Sequence, residues 1–193
     1  MVNEVKGLLS SVHYRLKTTS MTENMVNAIV TYDVYYDLNR GIAYEVELKA
    51  AATDIAGELP TVWHAKIVND QMELRLEYDL LQRIYYQSKQ TIKVESALYN
   101  LQEDLRKFLA SSNVKPMGEI VGADGRRYPG YKLNTLSIWI DPQQMLPMLR
   151  INLDRGSQIQ DEFTYLSVNQ PLPAEVFKLP KPVEAIANFD LYP

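Results

Sequence analysis

The sequence predicts a mainly antiparallel β protein with some helix: a curled sheet, or open half-barrel, of about ten strands covered by a lid helix. Three observations predict it. Most of the chain alternates apolar and polar residues with period two, the pattern of strands with one dry face. Gly, Asn, Asp and Pro punctuate those runs at turn positions. One stretch, 94–109, breaks the rule and repeats its apolar residues at intervals of four and three, the spacing of an amphipathic helix.

The elements follow in order. Val2, Val5, Leu8 and Leu9 are spaced for a short N-terminal helix. Val12, Tyr14, Leu16 and Thr18 alternate with His13, Arg15 and Lys17, a strand that could serve as an exposed docking edge. Val26, Ala28, Val30, Tyr32, Val34 and Tyr36 share one face of a long strand. Asn39-Arg40-Gly41 turns it into a partner carrying Ile42, Tyr44, Val46 and Leu48. Trp63, Ala65 and Ile67 mark the next strand, and Asn69-Asp70 the next turn. Met72, Leu74, Leu76 and Tyr78 form the cleanest amphipathic strand, followed by one bearing Ile84 and Tyr86. The helix then presents Val94, Leu98, Leu101, Leu105 and Phe108 on one side, with Glu95 and Ser96 as the expected N-terminal cap. Strands resume at 117–121 and 128–133, around the Asp124-Gly125 turn.

The last part, 137–180, holds Ile138 and Ile140 in a strand that Asp141-Pro142 terminates. Leu149, Ile151 and Leu153 follow on one face of the next. Asp154-Arg155-Gly156-Ser157 is hairpin chemistry, because Gly accepts a positive φ. Phe163 and Tyr165 lie on the returning strand. Pro171, Pro173, Pro180 and Pro182 then disfavour regular pairing.

Composition narrows the function. The 193 residues suit a single domain, 1–193, able to bury ~70% of its unfolded surface. Twenty basic against 24 acidic residues leave a net charge of −4, which argues against nucleic acid or an anionic membrane as an electrostatic partner. With no cysteine, disulfides and thiol chemistry are excluded. No apolar run reaches the ~18 residues of a membrane span, and the opening residues Met1-Val2-Asn3-Glu4 do not read as a signal peptide.

Catalytic and metal-binding patterns are missing too. His13 and His64 are far apart, each on a polar strand face, and read as surface histidines. No Ser sits in a nucleophile turn, and neither a P-loop nor a Gly-rich dinucleotide loop is present. Glu103-Asp104 and Asp161-Glu162 are sequence neighbours that cannot face each other. Asp161 stands apart, being in phase with Phe163. Arg126-Arg127 reads as solvated loop charge. The sequence therefore predicts no catalytic residue, no metal and no cofactor.

What remains is apolar inventory. A curled sheet has one wide dry face that a helix must cover. An ordinary core and an acyl-chain cleft demand the same residue types there. The expected walls are Val30, Tyr32, Val34, Tyr44, Val46, Trp63, Leu74 and Leu76. Leu98, Leu101, Leu105 and Phe108 would line the lid.

The wording of the C-terminal part adds a resemblance. Trp139-Ile140-Asp141-Pro142, Leu146-Pro147, Asp154 with Gly156, Phe163 with Tyr165, Asn169 with Pro171-Leu172, and Phe177 to Pro180 occur in the order seen in the LolA-type lipoprotein-carrier superfamily. A fainter echo lies at 69–86. The resemblance implies a half-barrel that binds lipid or acyl groups without catalysis, outside the cytoplasm, in the cell envelope. It implies export, with any signal segment or lipid-anchoring cysteine upstream of Met1. Its implied partners are a lipid or acylated lipoprotein, and an envelope protein or membrane surface. At 41–48, GIAYEVEL replaces the Arg- and Trp-bearing strand usual in carriers, so the lid-latching arginine has no counterpart. That departure keeps a second expectation open: an anchored protein-interaction module on the same scaffold, acting on an envelope enzyme or sensor.

Overall fold

The computed structural model describes residues 9–23, 25–49, 61–70, 74–79, 84–89, 94–177 and 186–188. In chain order the strands are β1 (Ser11–Thr22), β2 (Met25–Asp37), β3 (Ile42–Lys49), β4 (Thr61–Asn69), β5 (Leu74–Asp79) and β6 (Ile84–Lys89). The helix α1 (Val94–Ala110) follows, then β7 (Lys115–Val121), β8 (Arg127–Leu133), β9 (Leu136–Asp141), β10 (Leu146–Asp154), β11 (Ser157–Val168) and β12 (Ile186–Asn188). A 3-10 turn, Ala174–Phe177, precedes β12. The twelve strands hydrogen-bond in the order β12-β6-β5-β4-β3-β2-β1-β11-β10-β9-β8-β7. The sheet is antiparallel from β2 to β6 and from β7 to β11, and it is not closed.

Three differences from expectation have physical causes. The additional strand, β12, pairs in parallel with β6 over three residues, in a tail whose prolines disfavoured any pairing. β1 is no docking edge, since β2 and β11 flank it on both sides. The cap of α1 comes from a distance: the Val94 N–H donates to both carboxylate oxygens of Asp70 at 3.0 Å. An aspartate there satisfies an orphan helix donor and faces the positive end of the helix dipole. The expected N-terminal helix over Val2 to Leu8 lies outside the described residues.

The chain divides into two compact units that interleave along the sequence. One contains Leu16–Ile29 and Tyr99–Thr164. Its core is Leu105 and Phe108 of α1 against Ile138, Ile140 and Met145, with Leu109, Val114 and Leu136 packed around them. Gln102, also buried, donates its Nε2–H to the Gln144 carbonyl at 3.0 Å. The β10–β11 hairpin closes on Arg155 (φ 46°) and Gly156 (φ 87°), with Asp154 opposite Ser157. Positive φ at both central residues matches the strand twist; the sequence suggested it for Gly156 alone. Trp139 pairs with Gly130 and donates its indole N–H to the Gly118 carbonyl at 2.9 Å. A Cβ on Gly130 would meet both the indole and that carbonyl, so the glycine is what admits the ring.

The other unit contains Leu9–Arg15, Val30–Leu98 and Tyr165–Pro193. Its buried apolar residues include Leu9, Val12, Tyr14, Val34, Val46, Ala65, Ile67, Val94 and Leu172. The Ser10 N–H donates to Asn169 Oδ1 at 2.8 Å, and the Ser11 hydroxyl to the Gln170 carbonyl at 2.7 Å. These bonds fix the start of β1 on the segment that follows β11. Arg40 stands over the Phe177 ring at 5.9 Å while pairing with Asp37 at 3.4 Å.

Candidate functional site

The expected wall begins on β2 and β3, and the register between them decides its composition. Tyr35 pairs with Tyr44, Asp33 with Val46, and Val34 with Glu45. Directly paired residues project from the same face. Tyr44 and Val46 therefore share a face with Tyr35 and Asp33. Val34, and with it Val30 and Tyr32 at two-residue intervals, lies on the opposite face beside Glu45 and Glu47.

The next pairings extend both faces. Tyr44 pairs with Ile67, and Ile67 with Leu76; Val46 pairs with Ala65. On the reverse side Glu45 pairs with Lys66, and Lys66 with Glu77. Lys66 reaches Glu45 at 3.6 Å, and Arg75 pairs with Glu77. Strands β3 to β5 thus carry Tyr44, Val46, Ala65, Ile67 and Leu76 on one side and an ion-paired row on the other. Of the expected wall residues, the structure brings Tyr44, Val46 and Leu76 together. It places Val30, Tyr32 and Val34 on the reverse face. For Trp63, Leu74, Leu98 and Leu101, side-chain placement lies outside what is described.

The apolar face gains aromatic cover from β1 and β2. The His13 ring stacks on Tyr35 at 3.9 Å with 16° between planes, and Tyr35 lies 6.0 Å from Tyr44. One step along, Arg15 donates Nε–H and Nη2–H to the two oxygens of Asp33 at 2.9 and 3.0 Å. Burial pushes the His13 pKa down and that of Tyr35 up. Tyr36, on the opposite face, is pushed up to about 12 by burial and by the nearby Glu45 carboxylate. His13 is therefore no free surface histidine: its ring is stacked, and its Nε2 is buried without a hydrogen-bond partner.

Leu105 and Phe108, the expected lid residues whose side chains are described, pack on Ile138, Ile140 and Met145. In that unit the space beneath the helix is occupied by the protein's own side chains.

Two carboxylates that sequence reasoning treated lightly are buried. Asp161 accepts the Thr18 hydroxyl at 2.7 Å and the Arg150 Nε–H at 2.8 Å. Asp141 accepts the backbone N–H groups of Gln143 and Gln144 at 2.8 and 3.3 Å and pairs with Arg126 at 3.3 Å. Both are tied to cross-strand partners or turn amides, an arrangement that builds structure. Arg126 also grips Asp124, whose pKa falls to about 2, first through the Tyr128 hydroxyl bond and then through Arg126. Among the described residues no group of three or more His, Cys, Asp or Glu could hold a metal ion. No helix among them is long and apolar enough to cross a membrane.

A cleft of about 340 Å³ opens beside the β10–β11 turn, lined by Met21, Glu23, Leu153, Asp154, Arg155 and Gln158, among others. It shares no residue with the expected wall, and its charged lining is poorly suited to an acyl chain.

No protein-family model and no curated protein matches the chain. Solved structures do. LprF from Mycobacterium bovis is similar with a TM-score of 0.50 and 12% identity, over 91% of this chain and 90% of that chain. An uncharacterized conserved protein from Thermus thermophilus gives a TM-score of 0.49 and 13% identity over 92% and 91%. A LolA superfamily protein from Nitrosomonas europaea gives 0.38 and 11% over 92% and 94%. The likeness to LprF is one of fold and spans nearly the whole chain. That fold is the one expected from the sequence, an open antiparallel sheet with a helix.

Proposed function

We propose that this protein binds a lipid or a lipoprotein acyl chain without catalysis, and works in envelope lipid or lipoprotein handling outside the cytoplasm. The observation that carries the reading is the two-sidedness of β3 to β5. Tyr44, Val46, Ala65, Ile67 and Leu76 align on one side, while Glu45, Lys66, Arg75 and Glu77 hold the other. A methylene chain laid along the apolar side gains ~0.8 kcal/mol for each buried CH₂. It needs few polar contacts along these strands. The wall in this reading is Tyr44, Val46 and Leu76, joined by Ala65 and Ile67.

Native mass spectrometry of protein purified from cells, followed by organic extraction, tests it. Co-purified lipid is expected, and Leu76→Arg should abolish it while leaving the far-UV circular dichroism unchanged. Lipid-free protein that also ignores a fluorescent fatty acid at micromolar concentration would sink the proposal.

A second reading, a regulatory module that binds an envelope protein, draws on the filled cluster of Leu105, Phe108, Ile138, Ile140 and Met145. A helix seated on a completed core has no need to lift for a ligand. Lipid-free protein that captures a defined protein partner would favour this reading.

A further inference from the structure

We propose that His13 is an acid-responsive element: its protonation breaks the ring row that ties β1 to β2 and β3, so mild acid loosens this part of the sheet. The row is His13 on Tyr35 at 3.9 Å and Tyr35 beside Tyr44 at 6.0 Å. It crosses three adjacent strands near the middle of the sheet order. The His13 Nε2 is buried and has no hydrogen-bond partner. A neutral imidazole protonated on Nδ1 tolerates that, since Nε2 then carries only a lone pair. A second proton places an N–H and a full charge where nothing accepts them, and an unpaired buried donor is strongly disfavoured.

The charged and titratable neighbours do not rescue the cation. On β1, Arg15 is a second positive charge two residues away on the same face. On β2, the Asp33 carboxylate is the natural counter-ion, but both its oxygens already accept from Arg15 at 2.9 and 3.0 Å. Tyr35 on β2 and Tyr44 on β3 are neutral in this range. On β11, the other neighbour of β1, the carboxylate on this side is Glu162, which pairs with Lys17 at 3.8 Å, while the Tyr165 ring lies 5.7 Å from Tyr14, on the opposite face. Burial lowers the His13 pKa from its ordinary 6.5, Asp33 opposes this, and Arg15 adds to it. A lowered pKa means the opened state takes the proton more readily. The stabilisation is therefore present above about pH 6.5 and is lost as pH falls through the folded-state value.

The test combines an NMR titration of the two histidines with amide hydrogen exchange on the full chain between pH 7.5 and pH 5, corrected for intrinsic rates. His13 should titrate below its ordinary value. Protection of the Arg15, Asp33 and Tyr35 amides should fall, by up to about tenfold for each pH unit between about pH 6.5 and the lower folded-state value, and level off below it. The Ile138 and Ile140 amides of β9 should hold steady. His13→Phe keeps a flat ring and removes the proton site, so its exchange at those amides should not change with pH; His13→Gln replaces it if that variant fails to fold. A His13 that titrates at or above 6.5, the same acid loosening in the variant, or uniform loosening that includes β9 would each overturn the proposal.

Discussion

Truncating Leu105 to alanine measures whether helix α1 sits on a finished core or over space kept for something else. Leu105 is 4% exposed and packs with Phe108, Ile138, Ile140 and Met145. Leu→Ala removes three carbons, worth ~2.4 kcal/mol at ~0.8 per methylene. The cavity that remains after incomplete collapse adds to this, so the expected loss is ~3–4 kcal/mol. Urea unfolding at pH 7 followed by circular dichroism gives the number, provided the m-value is unchanged. Leu105→Met should cost under ~1.5 kcal/mol, because it nearly conserves volume. A loss for Leu105→Ala below ~1 kcal/mol would refute the filled core, since a side chain facing a void gives up little when shortened. In that outcome the lid reading of α1 gains over the closed one.

Three further outcomes follow from the same geometry. Asp161→Asn should lower stability by ~1–3 kcal/mol, since the amide serves Thr18 and Arg150 poorly and leaves a buried polar group mismatched; urea midpoints check it, and a neutral result would mean the Arg150 contact is solvent-screened. Asp70→Ala removes the acceptor of the Val94 N–H and should cost ~1 kcal/mol, with amide exchange accelerated most in the first turn of α1. Tyr36, held up at about 12 by burial, stabilises the fold fully below pH 10 and loses that contribution as pH rises through about 12; Tyr36→Phe should flatten the alkaline limb of the stability curve, and an unaltered limb would assign it to other groups.

Alternation made the strands legible in the sequence, and the change to four-three spacing made the helix legible within a residue of its observed end. The wall was legible only in part, for a specific reason. Alternation reveals two faces for each strand but not which face of one strand joins which face of the next. That choice belongs to the turn. Asp37 pairs with Ile42 across the 38–41 loop, which sets Val34 opposite Glu45 and Tyr35 opposite Tyr44. A loop one residue different would have joined Val34 to Tyr44, because a one-residue slip exchanges faces. The Asp70 cap was hidden for a related reason. Asn69-Asp70 read as a turn, yet its carboxylate serves a helix that starts at Val94, a contact that exists only after β5 and β6 have folded back. The parallel pairing of β12 had no signal at all, being three residues long within a proline-rich tail.

The motif that points most clearly to LolA-like proteins turns out to be architectural here. Trp139 crosses Gly130 to reach the Gly118 carbonyl, tying β9 to β8 and β7. Ile138 and Ile140 receive Leu105 and Phe108 of α1. Asp141 holds the turn that follows by accepting from Gln143 and Gln144 and by pairing with Arg126. The turn in its place presents the Gln144 carbonyl to Gln102 of α1. Each residue from Trp139 to Asp141 is thus engaged in seating the helix, joining strands or holding a turn. A motif of this kind specifies a fold and carries little information about what the fold binds. The wall of the proposed function lies on β3 to β5, where Tyr44, Val46, Ile67 and Leu76 meet by register, not by any local signature. Substitutions at the half-buried Tyr44 and Leu76 should change ligand and largely leave the fold, whereas substitutions in 139–141 should do the reverse.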